Sequence, residues 1–514
     1  MHATPCSAHH TPPESPKGSQ KPKALAWCKA LLLWPLLALC ACKTLWLGYD
    51  AASAQWLQAA AQGQWQQAYG LLGSMQEAPS ALLILQERGR IASLGQQWHS
   101  SQEDFEAAAQ GIQAQQQRAQ VSLSHSLQHT LALGLGDTSL PYEPASYEKV
   151  FIHTFKMLNF LAQNELEKAL VESRRALNEQ RFRLQTQAFR LAATQQAAKD
   201  QGLELHASDL QPYLNQAPLA AQPPAASSSL VSPVSPSTAA HQALRNGYLS
   251  YCLGLLYEHL GQHDEAHIAY QDTLSCFPDN AFVQKACVRT GQSKQPAQDA
   301  PAKLVILYEA GFAPALQSFS LSLPWQGRWY TLSLPYYAAA DSAKDAPPLH
   351  VHCQGPQGSA LQAYSATVCL TAPLAAQALR DSYPGRALRQ LLRLIVRDQS
   401  QKALQQAEGG QLPLAALGLL GVVLDKADTR SWRSLPRSVQ VAECTLQPHQ
   451  RYQVQLQMAP GTQAQHNAQA AASAAVTRSL QPRPGHLYIW RVHAALPAGT
   501  LTLTPLAALP PGLG

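Results

Sequence analysis

The sequence predicts an α+β protein, an irregular α-helical tetratricopeptide-like array followed by a mainly antiparallel β-rich domain with one or two helices. Two changes of pattern carry this. From Asp50 to about Leu210 apolar residues recur three and four apart with hardly a proline, the period of amphipathic helices. After residue 302 the pattern turns to alternation, as in Leu304-Val-Ile-Leu-Tyr308, Phe319-Ser-Leu-Ser-Leu323 and Trp329-Tyr-Thr-Leu-Ser-Leu334, the period of strands. A third observation sets the scale: 514 residues are enough for roughly three domains with real cores. Charged residues make up only 14%, against about 25% in an average domain, which argues against a charged disordered chain. A net charge of +6 over this length is too dilute to indicate nucleic acid as a partner.

The first segment reads as a signal. Lys17, Lys21, Lys23 and Lys29 precede a uniformly apolar run from Ala30 to Leu39, which ends in Leu39-Cys40-Ala41-Cys42. A charged region, a short apolar region and a small residue before a cysteine form the pattern of a bacterial lipoprotein signal. Residues 1–41 are then the signal peptide, and Cys42 takes a diacylglyceryl group on its sulfur, with a second acyl chain on the amine making the anchor stable. Lys43, in place of Asp, after the cysteine resembles the sorting pattern for the periplasmic face of the outer membrane. The alternative is an inner-membrane anchor facing the periplasm.

Residues 42–213 form the helical array. Gly63-x-Trp65-x-x-Ala68 ends one helix and starts another, and Trp98-x-x-Ser101-x-x-x-Phe105-x-x-Ala108 repeats this close to the roughly 34-residue tetratricopeptide period. A third hairpin pairs residues 147–162 with a long helix from near Glu165 to about Lys199. Residues 214–240, rich in Pro, Ser and Ala, read as a linker or insertion. Residues 241–290 complete the array with the clearest hairpin, Leu253-Gly254-x-x-Tyr257-x-x-x-Gly261, then Ala266-x-x-x-Tyr270-x-x-Thr273 and Pro278. Within the β-rich domain, 302–514, further strands are expected over 361–370, 438–446, 452–458 and 487–492. A helix is expected from Arg386 to about Ala407, and an apolar buried helix over 412–424.

Tyr147-Glu148-x-Val150, Leu158-Asn159-Phe160-Leu161 and Val171-Glu172-Ser173-Arg174-Arg175-Ala176 resemble motifs of a family of uncharacterised proteobacterial lipoproteins with tetratricopeptide-like helices. Tyr308-Glu309-x-Gly311-x-x-Pro314, Leu334-Pro335 and Asp428-Thr-Arg430-Ser-Trp432-x-x-Leu435-Pro436 continue the likeness. The resemblance implies a periplasm-facing lipoprotein with no established reaction.

The chemical candidates are few. His263 and His267 lie four apart on one helical face, and His350 and His352 on one side of a strand with Cys353 on the other. Neither pair has the further ligands that a metal site requires, so no metal and no cofactor is expected. The sequence lacks a nucleophile elbow, a phosphate loop and a complete dinucleotide fingerprint. Glu148, Glu172, Arg174 and Arg175 are expected to form an ion-pair cluster that ties the third hairpin together. Arg386, Arg389, Arg393 and Arg397 share one helical face, opposite Leu388, Leu391, Leu392 and Ile395. That stripe reads as a solvated face, or as one lying against anionic lipid or cell-wall polymer. Cys252 and Cys276 could bridge the fourth hairpin, with buried thiols as the alternative.

Stacked hairpins usually bind protein segments along the face lined by their first helices. In the fourth hairpin that face carries Tyr248, Tyr251, Leu255, Glu258 and His259. The function expected is therefore a non-catalytic envelope scaffold or assembly factor that binds protein or peptide partners, attached to the membrane by its lipid. The alternative is an enzyme or ligand receptor acting on cell-wall or carbohydrate material through the β-rich half. A scaffold needs an exposed groove in the first half; a receptor or enzyme needs a pocket with converging ionisable groups.

Overall fold

Four helical hairpins are closed by one backbone device. The computed structural model describes residues 49–75, 79–132, 137–200, 202–204, 206–214, 245–292, 300–338, 346–356, 359–407, 426–459, 475–496 and 500–511. Its hairpins are α1 (Tyr49–Ala61) with α2 (Trp65–Gly73), α3 (Ala81–Leu94) with α4 (Trp98–Ala132), α5 (Ser146–Ala162) with α6 (Leu166–Asp200), and, beyond the short α7 (Ala207–Leu214), α8 (Gly247–His259) with α9 (His263–Cys276). Each turn holds one residue in the left-handed region: Gly63, Gln96, Asn164 and Gly261. In each, the next amide bonds back to the helix just ended: Gln64 to Ala59, Gln97 to Ala92, Glu165 to Phe160 and Gln262 to Tyr257, at 2.8–2.9 Å. This is a Schellman closure, which satisfies carbonyls left over at a helix end.

Packing follows from residue size. Ala68, Ser101, Ala169 and Ala266, the same distance into each second helix, are all fully buried. A Cβ on Gly254 would lie 2.6 Å from the Tyr270 ring, so this helix pair closes only because that position is glycine. Asn246 caps α8 by accepting from the amides of Tyr248 and Leu249 at 3.1 and 3.3 Å. Asn280 caps α10 (Ala281–Gly291) in the same way, and such caps satisfy amides that the helix cannot.

The second half holds two stacked sheets. One runs β11 (Thr500–Leu509), β10 (Leu487–Ala495), β1 (Ala302–Phe312), β7 (Pro436–Leu446), β6 (Ala366–Leu370); the other runs β5 (Ala360–Tyr364), β4 (Leu349–Gln354), β8 (Tyr452–Met458), β9 (Ala475–Leu480). β1 and β10 pair in parallel, and the other pairs are antiparallel. Alternation along β1 gives the five-stranded sheet two cores. Val305 and Leu307 face the helices, while Leu304, Ile306 and Tyr308 face the four-stranded sheet. Helices, sheet and sheet thus form three layers. A separate hairpin, β2 (Leu316–Trp325) with β3 (Arg328–Tyr337), packs with the end of α6, α7 and α11 (Thr371–Ala407) around its own apolar cluster.

Two local expectations are corrected. The expected strand over 361–370 is split at Ser365 into β5 and β6, and the helix expected from Arg386 begins at Thr371, running through Pro384 and Gly385. Proline removes one helix hydrogen bond and its ring crowds the carbonyl four residues back, and tertiary packing on both sides of the helix carries it through. The segment over 412–424, the stretch 215–240 and the N-terminal segment with Cys42 lie outside the described residues. Among the described residues no helix is long and apolar enough to cross a membrane. The described residues pack as one compact unit, so the array and the β-rich half share their central core.

They come close at Gly247, where a Cβ would lie 2.1 Å from the Val368 carbonyl of β6. Gly247→Ala should cost about 1–3 kcal/mol through overpacking, read as a lower urea midpoint. Gly73→Ala, where no atom lies within 4 Å, should leave the unfolding free energy within about 0.5 kcal/mol of the parent.

Candidate functional site

Charged side chains meet in the core between array and sheet. On the array-facing row of β1, Val305 and Leu307 are followed by Glu309, and on β10 Leu487 and Ile489 are followed by Arg491 and His493; all are buried. Arg90 of α3 reaches Glu309 at 2.5 Å with neither side chain exposed, and Tyr248 donates to the other carboxylate oxygen at 2.9 Å. Arg491 donates to the Ser93 hydroxyl at 2.9 Å and to the Ser93 carbonyl. From there hydrogen bonds pass through Asn159 and Ser101 to the Gly89 carbonyl. Burial would raise the Glu309 carboxyl, but Arg90 and Arg491 hold it below its ordinary value. Burial, followed by the nearby Arg90 and Arg491 charges, pushes His493 down to about 3, so its ring is neutral at pH 7.

Two more carboxylates hold the loop before β7. Glu87 of α3 accepts from the amides of Arg433 and Ser434 at 2.6 and 2.9 Å and from the Tyr49 hydroxyl at 3.0 Å. Glu148 of α5 accepts from the Trp432 amide at 3.1 Å, the Ala145 amide at 3.0 Å, and the Tyr142 and Tyr147 hydroxyls. Burial raises both, Glu87 to about 7. Between these clamps the Trp432 ring is fully buried against Phe105 and Phe155. Arg430, paired with Asp428 at 2.8 Å, donates to the Leu140 carbonyl at 2.9 Å.

Beside this loop lies a cavity of about 190 Å³. Its walls are the Tyr142–Glu148 segment, Ala188 and Leu191 of α6, Leu316 and Tyr337 of the hairpin, and α11 from Ala375 to Arg389, with Arg430 and Ser431 completing it. Burial raises the phenols of both Tyr147 and Tyr337. Arg386 donates through Nε to the Ser382 hydroxyl at 3.1 Å; among the described residues no carboxylate pairs with it. Two amide and two hydroxyl protons point at the Glu148 carboxylate, two on each oxygen, so this acid has no lone pair spare for proton transfer.

The groove expected in the fourth hairpin is filled by the chain itself. Tyr248, Tyr251 and Leu255 are buried, and Tyr251 donates to Glu443 of β7 at 2.7 Å. Burial would raise Glu258, but Arg289 and Lys303 hold it at about 2; His259 is half-buried and lowered by burial. This corrects the open groove: the sheet covers that face because its acids supply the acceptors that the buried tyrosines need.

The expected ion-pair cluster divides. Glu172 bonds His153 at 2.7 Å, Arg175 at 2.8 Å and Lys156 at 3.0 Å, whereas Glu148 joins the loop clamp and Arg174 is exposed. The arginine stripe is corrected too. Arg393 is buried and bonds Asp137 at 2.8 Å, Arg386 and Arg389 line the cavity, and Arg397 is half-buried. Leu388, Leu391, Leu392 and Ile395 pack under the hairpin, so α11 is covered on both sides and the stripe is no solvated face. Cys252 and Cys276 are unbridged: Cys252 points into the central core, while Cys276 lies by the Asp272 carbonyl. His267 bonds the Cys287 carbonyl at 3.1 Å, and the His350 ring stacks on Tyr364. Among the described residues no group of three or more His, Cys, Asp or Glu could hold a metal ion.

Sequence reasoning singled out neither Glu87 and Arg90 nor Arg491 and His493. Their one signal is a charged residue at the position where helical or strand period calls for an apolar one. Comparison with protein-family models, curated proteins and solved structures finds no match for the chain.

Glu309→Gln should cost about 3–5 kcal/mol in urea unfolding, because it leaves two arginines without their buried counter-charge. His493 generates a pH test. With its folded value near 3 below the unfolded value of about 6.5, the unfolded chain binds the extra proton. The His493 contribution is therefore present above about pH 6.5 and is lost as pH falls toward 3. Stability against pH, measured for the parent and His493→Asn, should show a loss on acidification in the parent, on the order of a few kcal/mol, that the variant lacks.

Proposed function

We propose that the chain is a non-catalytic binding protein of the cell envelope, anchored by a lipid on Cys42, which takes a small anionic ligand in the cavity between the array and α11. Arg386 carries this reading: a guanidinium on the wall of a partly enclosed cavity with a serine hydroxyl in place of a carboxylate partner. Its planar fork suits a carboxylate or phosphate. The Tyr142, Tyr147 and Tyr337 rings give the remaining wall apolar area with polar tips. The volume is below the roughly 300–1,000 Å³ of drug-sized sites, which fits a molecule of monosaccharide or amino-acid size.

Two observations favour a receptor over the protein scaffold expected from the helices. The tyrosine face that would hold a partner segment lies under the chain's own sheet. The cavity, unlike that face, has ionisable groups converging on open volume. Absence of a free base at Glu148, whose acceptors are all engaged, supports binding without turnover.

Calorimetric titration with inorganic phosphate, small dicarboxylates, uronic acids and sugar phosphates tests the reading. One of these classes should bind, and Arg386→Ala should weaken it at least about tenfold, the equivalent of 1.4 kcal/mol. Failure of every class to bind, or equal affinity in Arg386→Ala, would sink it. Separately, Cys42→Ala should release the protein from membranes while leaving that affinity unchanged.

A further inference from the structure

A pair of cysteines outside the cavity lies in the core between the two sheets. Cys353 on β4 and Cys444 on β7 belong to different sheets, and both point into the core that the sheets share, 0% and 5% exposed. Strand alternation puts them there. Leu349, Val351 and Cys353 form the inward row of β4, and Ala442, Cys444 and Leu446 that of β7. Both are free thiols in this structure, and each is the strongest influence on the other's ionisation across the gap. Cysteines that face each other from opposed inward rows of two packed sheets can bond covalently where their Cα atoms come within about 7 Å.

We propose that Cys353 and Cys444 form a disulfide that staples the two sheets together in the exported protein. Two S–H bonds break and one S–S bond forms; two electrons and two protons pass to the disulfide of an envelope thiol oxidoreductase, which leaves as the dithiol. The exchange takes place before the sheets close, since the folded core excludes an enzyme from both sulfurs. Joining strands so far apart in the chain removes much freedom from the unfolded state. Occurrence in the cell rests on the envelope location proposed above, whereas the pairing itself rests on geometry alone.

The test refolds the full chain from denaturant, in detergent, with a mixture of reduced and oxidised glutathione, blocks remaining thiols with iodoacetamide and maps tryptic peptides by mass spectrometry. Cys353 and Cys369 share the peptide between Lys344 and Arg380, and Cys444 lies between Arg437 and Arg451. A cross-link between these peptides should persist in Cys369→Ala and vanish in Cys353→Ala and in Cys444→Ala. Reduction should lower the Tm of the parent by about 5 °C and leave the two single variants unmoved. Alkylation of both thiols in protein whose circular dichroism shows refolding, or Cys444 joined to any other cysteine, overturns the staple. Blocking thiols at lysis in a bacterial host separates the two ideas. The link in refolded protein together with free thiols in cells upholds the pairing and counts against export.

Discussion

A charge removed from water needs its opposite close by, and in this chain the opposite lies across the boundary between helices and sheet. Arg90 comes from the second hairpin, Glu309 from the first strand and Arg491 from a strand near the C-terminus, and all three are buried in the same core. Moving the layers apart would strand each charge in a low-dielectric interior or demand full rehydration. The surrounding apolar rows supply area, but area alone tolerates sliding. The ion pair, with Tyr248 on its second oxygen, admits one register of array on sheet.

That constraint governs what the array can do. In a free-standing stack of hairpins, the tyrosines of the fourth hairpin would be a surface for partners. Here their hydroxyls are committed to Glu309 and Glu443, and the loop before β7 is held from the same side by Glu87 and Glu148. What is left open is the place where α11 crosses the array. On its arginine face Asp137 takes Arg393, while Arg386 lies on the cavity wall. The candidate site is a by-product of incomplete charge matching between two layers that otherwise fit.

Legibility in the sequence followed the range of the interaction concerned. The hairpins could be read because Gly63 and Gly261 mark turns and Ala68, Ser101, Ala169 and Ala266 mark helix contacts within a few residues. Strands β9 and β11 went unread. β9 is polar and mostly exposed, and β11 carries Pro505, acceptable only because that strand forms the edge of its sheet. Tyr383-Pro384-Gly385 reads as a break, yet α11 continues through it, since packing on two sides outweighs one missing amide. Of the cavity, Arg386 and Glu148 were visible as charges but assigned to a solvated stripe and a hairpin ion pair.

The sequence by itself determined the α+β class, the four helical hairpins and most of the strands, because period, small residues and turn residues act over a few positions. Which face is buried, which carboxylate meets which arginine, and where a gap remains were decided only in three dimensions. Arg90 and Glu309 are 219 residues apart. Nothing local to either one distinguishes a charge that will face water from one that will be buried against its partner.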